Sequence, residues 1–334
     1  MKNLILASTF LMAAGCAGSV TEQQLGTPAA TESRPAAKQS VIYVASLLAN
    51  SVPVFNAQGN LIRTITNGVK EPNSLALDTK NRLYVTNIGA NTVTVYANQG
   101  KKLSKTISED VKKPRRVVVD SSGIVYVTMK RFLEAYPPSP KQAYRMQPPS
   151  NGPTALDQND SLYVADGSRV NVYAPGAKHP TRTIASDIGL AGALAFDAQG
   201  NLYVADDDQP GSGPCGSRIE EFAAGGDTLL NTVSNGICAP QSLAFDSDQN
   251  LYVANGAGSG NGSVAVYAAD SFALMYQLTD DISGPTSVAI DASNNLYVAS
   301  PGINKIPVYQ QGAKSPFLEL KSGIDEPTQV LIQP

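Results

Sequence analysis

Asp197-Ala198-Gln199-Gly200-Asn201-Leu202-Tyr203-Val204-Ala205-Asp206 is the stretch from which the fold can be read. An acid opens a turn built of small and amide residues with a glycine, and the turn leads straight into a short apolar run, which is the chemistry of a hairpin entering a buried strand. The core of the run recurs as Ile42-Tyr43-Val44, Leu83-Tyr84-Val85, Val125-Tyr126-Val127, Leu162-Tyr163-Val164, Leu202-Tyr203-Val204, Leu251-Tyr252-Val253 and Leu296-Tyr297-Val298. Its tyrosines lie 37 to 49 residues apart, the period of propeller blades with about four strands each.

The surroundings repeat as well. Upstream of six copies an apolar run closes on Asp78, Asp120, Asp157, Asp197, Asp246 or Asp291. Downstream, a third run ends in an aromatic residue, at Phe55, Tyr96, Tyr136, Tyr173, Phe222, Tyr267 and Tyr309. A more polar fourth run follows, such as Leu103 to Ile107 or Arg182 to Ala185. We name these strands a, b, c and d. The fall in hydrophobicity from a and b to d is what radial packing requires, because inner strands are sandwiched between blades while outer edges meet water. The first copy lacks a strand a, and residues 328–334 resemble a strand a with nothing after it. The sequence therefore predicts an all-β, seven-bladed propeller over residues 41–334, closed by the C-terminal strand completing the first blade. The repeated aspartates are read as caps of their own a–b turns, and the tyrosines as fillers of the wedges between blades with hydroxyls reaching a polar edge.

The phrase of apolar strand, Asp, Gly-Asn turn and Leu-Tyr-Val-Ala-Asp resembles NHL-repeat propellers and the related gluconolactonase-like superfamily, over nearly all of residues 41–334. That resemblance speaks to fold and poorly to activity, since propellers carry many unrelated functions. It implies that an enzyme of the group would hold a metal at the mouth of the axial channel, near the starts of the inner strands. The positions that fall there are Asn73 and Ser74, Arg115 and Arg116, Thr154, Ala193, Gln241 and Ser242, Thr286 and Ser287, and Thr328 and Gln329. None is a carboxylate, so no metal, cofactor or catalytic residue is expected there. A metal-dependent lactonase or esterase stays the alternative. His179 is the single histidine and sits in a c–d turn; with no Trp in the chain, a three-histidine zinc site, a histidine dyad and a tryptophan-stacked quinone site all lack their residues.

Composition narrows the partners. A net charge of -3 leaves no basic excess for a phosphate backbone, and nucleic acid is not expected. Residues 1–16 read as a signal peptide, with Lys2 before an apolar run too short to span a bilayer. Its end, Ala13-Ala14-Gly15-Cys16, resembles a bacterial lipobox with Cys16 as the lipidated residue; cleavage by ordinary signal peptidase is the other reading. Residues 17–40 are rich in Ala, Thr, Ser, Glu, Gln and Pro and read as a disordered tether. The chain is thus expected to be exported, either lipid-anchored in the envelope (in the outer membrane of a Gram-negative cell) or secreted, and monomeric. Of three cysteines, Cys215 and Cys238 remain as a disulfide pair, or as two free thiols.

Strand parity puts b–c loops and d–a connections on one face and the shorter turns on the other. The longer loops, Asp206 to Ser217 and Gly256 to Ser263, fall on the first face, which is read as the functional surface. Lys112, Lys113, Arg115 and Arg116 in one d–a connection, with Lys130 and Arg131 in the neighbouring b–c loop, form a candidate site for an acidic ligand; Asp206, Asp207 and Asp208 lie on the same face. Asn73, Arg115, Gln241, Thr286 and Thr328 are the candidate channel mouth. The function expected is that of a non-catalytic binding or scaffolding lipoprotein for a protein, peptide or glycan, with a purely structural spacer as a third reading.

Overall fold

The computed structural model describes residues 40–148, 150, 152–185, 188–207, 215–256, 262–269 and 271–333. The signal segment, Cys16, the tether up to residue 39, and Asp208 with most of the two longest b–c loops lie outside the described residues. The described fold belongs to one unit, Lys38–Pro334. Each Leu-Tyr-Val run is the second strand of a four-stranded antiparallel blade, and there are seven blades. In blade 5, for example, strands a to d are Ala191–Phe196, Leu202–Asp206, Arg218–Phe222 and Leu229–Val233, paired in that order. Strand c of blade 3 is Leu133–Tyr136, strand c of blade 7 is Ile306–Tyr309 and strand d of blade 4 is Arg182–Ala185, each matching its run in the sequence.

The a–b turns show why the aspartate recurs. Its backbone N–H and C=O close the turn, as where Asp197 N–H donates to Asn201 O and Gly200 N–H to Asp197 O. The fourth residue of every such turn has a left-handed backbone: Asn81, Gly123, Asp160, Gly200, Gln249 and Asn294 have φ between 56 and 88°. Gly, Asn and Asp, which fill five of these six positions, meet that demand at least cost. The carboxylate then collects donors. Asp291 Oδ1 accepts the amides of Ser293 and Asn295 at 2.8 and 2.9 Å, while Oδ2 accepts Asn295 Nδ2 at 2.9 Å and the Tyr297 hydroxyl at 3.2 Å. The same link from the Leu-Tyr-Val tyrosine to its own blade's aspartate is made by Tyr84, Tyr126, Tyr203 and Tyr252. Capping is therefore what these aspartates do.

The tyrosines also build the core. Seven apolar clusters correspond to the seven blade interfaces, and each contains the strand-b tyrosine of one blade with the strand-c aromatic of the next: Tyr43 with Tyr96, Tyr84 with Tyr136, Tyr126 with Tyr173, Tyr163 with Phe222, Tyr203 with Tyr267, Tyr252 with Tyr309 and Tyr297 with Phe55. Each buried ring is worth about 2–3 kcal/mol of transfer free energy. Four of the strand-c hydroxyls donate to carbonyls of the connection entering their own blade, at Asn67, Glu109, Asn235 and Asp280. Burial pushes the Tyr43 and Tyr84 phenols up to about 12, so they remain neutral donors at physiological pH.

The ring closes as the sequence implies. Pro327–Gln333 pairs with Val41–Ser46 as strand a of blade 1, in the register Tyr43↔Leu331 and Val44↔Val330. No aspartate ends this strand. Gln333 stands in that place instead and takes the Tyr43 hydroxyl on Oε1 at 3.0 Å.

Asp78 generates the prediction for this architecture. Burial raises its carboxyl, but the amides of Arg82 and Lys80 and the Arg82 guanidinium outweigh that and hold it below the ordinary carboxylate value. A depressed folded-state pKa gives stability that is complete above the unfolded value of about 3.9 and lost as pH falls through the lower folded one. Asp78→Ala should therefore cost on the order of 2 kcal/mol in urea unfolding at pH 7, and the gap from the natural chain should narrow below about pH 4. A gap independent of pH would show that the ionised form is not what caps the turn.

Candidate functional site

The channel wall is made by the seven innermost strands, and their register defines its positions. The valine of each Leu-Tyr-Val run, or of Ile42-Tyr43-Val44, pairs with an inner-strand residue, as in Val85↔Leu75, Val127↔Val117, Val204↔Leu194 and Val298↔Val288. The residue just before that partner forms a ring around the axis: Gln329, Ser74, Arg116, Pro153, Ala193, Ser242 and Ser287 for blades 1 to 7. All seven line one central cavity of about 720 Å³.

Four ring members stitch neighbouring blades together. Ser74 Oγ accepts Val117 N–H at 3.4 Å, Ser242 Oγ accepts Val288 N–H at 3.2 Å, and Ser287 Oγ accepts Val330 N–H at 3.4 Å. Gln329 Oε1 accepts Leu75 N–H at 2.7 Å. Inner strands of adjacent blades cannot share a ladder, so these side chains satisfy edge amides that would otherwise be buried without partners. At Arg116, Pro153 and Ala193 no such stitch forms among the described residues. Across this gap Arg116 Nη2 reaches from blade 3 to the Gly192 carbonyl of blade 5, at 3.4 Å. Burial, with the Arg115 charge beside it, pulls the Arg116 guanidinium below its ordinary value.

The structure places Asn73, Arg115, Gln241, Thr286 and Thr328 together, all on the cavity wall one residue closer to the loop face than the ring. Three of them are stitches too: Asn73 Nδ2 donates to Arg115 O at 2.6 Å, Thr286 Oγ1 to Pro327 O at 3.2 Å, and Thr328 Oγ1 to Asn73 O at 2.9 Å. The described wall carries Asn, Gln, Ser and Thr oxygens, backbone carbonyls and two guanidiniums, with no carboxylate, imidazole or thiol. A hard divalent cation of the kind the gluconolactonase-like resemblance implies does not fit this donor set. Among the described residues no group of three His, Cys, Asp or Glu is placed to hold an ion. His179 is exposed in the c–d turn of blade 4, away from the cavity wall.

The six cations divide. Lys112, Lys113, Arg115, Lys130 and Arg131 are exposed on the loop face, whereas Arg116 is half-buried in the channel. The two segments that carry them are tied together, since Lys112 N–H meets Met129 Sδ at 3.1 Å and Arg115 N–H donates to Thr128 O at 2.7 Å. Asp206 is not a loop charge. It ends strand b of blade 5 fully buried, its Oδ1 accepts the Gly189 and Leu190 amides at 2.9 Å, and Arg218 lies against Oδ2. Ser46, Asn87, Asn255 and Ser300 hold the incoming d–a connection in the same way, so the residue that ends strand b, or in blade 7 the one just past it, is an anchor. The polar residue two places after Tyr-Val, present in every copy but that of blade 3, where Met129 stands, was the signal for it. Cys215 and Cys238 form a disulfide with Cα atoms 5.2 Å apart, tying the b–c loop of blade 5 to the d–a connection that follows.

Comparison with known proteins adds the class of the fold and no more. No protein-family model matches the chain, and no curated protein matches it in sequence. Solved β-propellers do match in structure. A putative 6-phosphogluconolactonase from Bacteroides uniformis superposes with a TM-score of 0.69 at 14% identity, covering 88% of this chain and 99% of its own. A protein from Lactobacillus plantarum gives 0.68 at 16% identity over 89% and 100%, and a functionally unknown protein from Desulfotomaculum acetoxidans gives 0.70 at 14% over 89% and 99%. At such identities the likeness is one of fold.

Proposed function

We propose that the chain is an exported, non-catalytic binding lipoprotein of NHL-like propeller type that presents its loop face to an acidic protein, peptide or glycan. The observation carrying this reading is the sector where Lys112, Lys113, Arg115, Lys130 and Arg131 stand exposed on two connections held rigidly to one another, with no salt bridge from Lys112, Lys113, Arg115 or Arg131 to a carboxylate among the described residues. A cluster of like charge on a rigid scaffold steers an oppositely charged partner more than it stabilises the fold. The described wall of the channel carries neither a carboxylate nor an imidazole to serve as general base or charged metal ligand, which supports binding over hydrolysis.

Replacing Lys112, Lys113, Lys130 and Arg131 by Gln should leave the chain folded and weaken binding to immobilised poly-glutamate or polygalacturonate by about tenfold or more at low salt, with a shallower salt dependence. Unchanged affinity and salt slope would remove the patch from the account. Anchoring is proposed through Cys16, on the strength of the lipobox-like Ala13-Ala14-Gly15-Cys16 and the tether behind it. Cys16→Ser should shift the protein from the membrane fraction to the soluble one, and a variant that stays with the membranes would contradict the anchor.

A further inference from the structure

We propose that the central cavity is a binding site for a small carboxylate with an apolar body, whose carboxylate is held by Arg116. The site is distinct from the loop-face patch and does not depend on it.

The first ground is an uncompensated charge. A guanidinium taken partly out of water needs an anion or several acceptors. Among the described residues Arg116 has one acceptor, the Gly192 carbonyl, and that bond is long at 3.4 Å. Among those residues it makes no salt bridge, and the charged neighbour that acts on it is Arg115, of the same sign. As a structural strut between blades 3 and 5 this is a poor device; the four stitches elsewhere in the ring do the same work with neutral side chains.

The second ground is the direction of the hydrogen bonding. The oxygens of Ser74, Ser242 and Ser287 are spent as acceptors on strand amides. A hydroxyl that accepts still has its own hydrogen to donate. With Arg116, the ring itself thus offers donors and few free acceptors, which suits an oxyanion at ring depth and disfavours a cation there.

The third ground is size and charge. A single guanidinium at ring depth neutralises one negative charge and offers a planar fork that matches a carboxylate; a phosphate dianion would keep a charge unmet. Beyond the ring the wall is aliphatic, with Leu77, Val119, Leu156, Leu243 and Leu331. About 720 Å³ lies within the range of small-molecule sites. An anionic head at the ring with an apolar body along these side chains uses both halves.

The test is calorimetric titration of the full chain with hexanoate, hexan-1-ol and inorganic phosphate. Hexanoate should bind one to one, with the alcohol and phosphate each about tenfold weaker or more, a difference of at least about 1.4 kcal/mol. Arg116→Gln should lose about tenfold for hexanoate, and Arg116→Lys should fall between, keeping the charge without the fork. The four-Gln patch variant should bind hexanoate as the natural chain does, so failure of the loop-face reading would not register here. No saturable hexanoate binding, equal binding of the alcohol, tighter binding of phosphate, or undiminished binding by Arg116→Gln would each overturn the proposal. Should Arg116→Gln not fold, the contrast between acid, alcohol and phosphate in the natural chain decides alone.

Discussion

A tyrosine from the second strand of each blade must be covered by an aromatic ring from the third strand of the next. Seven such wedges go round the molecule, and the seventh, Tyr297 against Phe55, joins the end of the chain to its beginning. That contact exists only if the strand Pro327–Gln333 lies beside Val41–Ser46. Leave the seam open and Tyr297, Phe55 and Ile42 lose their cover together. The radial order of the blades, the sorting of loops onto two faces and the existence of an axial cavity all follow from this closure.

Most of that architecture was legible because its signals are local and repeated. Leu-Tyr-Val, the closing aspartate and the downstream aromatic each report a side chain whose environment is the same in nearly every blade, so a single sequence displays several copies of one experiment. The missing strand a at the start and the orphan run at the end made the seam visible. Loop parity then carried Cys215 and Cys238 to the same face, where they are bonded.

What the sequence could not show is where neighbours in the chain diverge. Arg115 and Arg116 look alike on paper, yet one stands exposed at the channel mouth on the loop face while the other, one residue deeper, crosses the channel. Asp206 reads as the first of three loop acids, but as the last residue of its strand it is buried against the amides of Gly189 and Leu190. Arg116 meets a gap only because Pro153 and Ala193, one and two blades further along the sequence, lack the hydroxyl or amide that fills the ring elsewhere. The function of a propeller resides in such departures from its repeat. Here they concentrate in blades 3 to 5, where the hydroxyl ring breaks, and in the cationic sector above blade 3.

Closure is tested most directly by native-state hydrogen exchange on the full chain. Amides of Val41–Ser46 and Pro327–Gln333 that are hydrogen-bonded across the seam should exchange with the same opening free energy as those of Leu202–Asp206 deep in blade 5, because the seam can part only when the ring unfolds as a whole. Seam amides that exchange through a smaller, local opening while blade 5 stays protected would contradict the account.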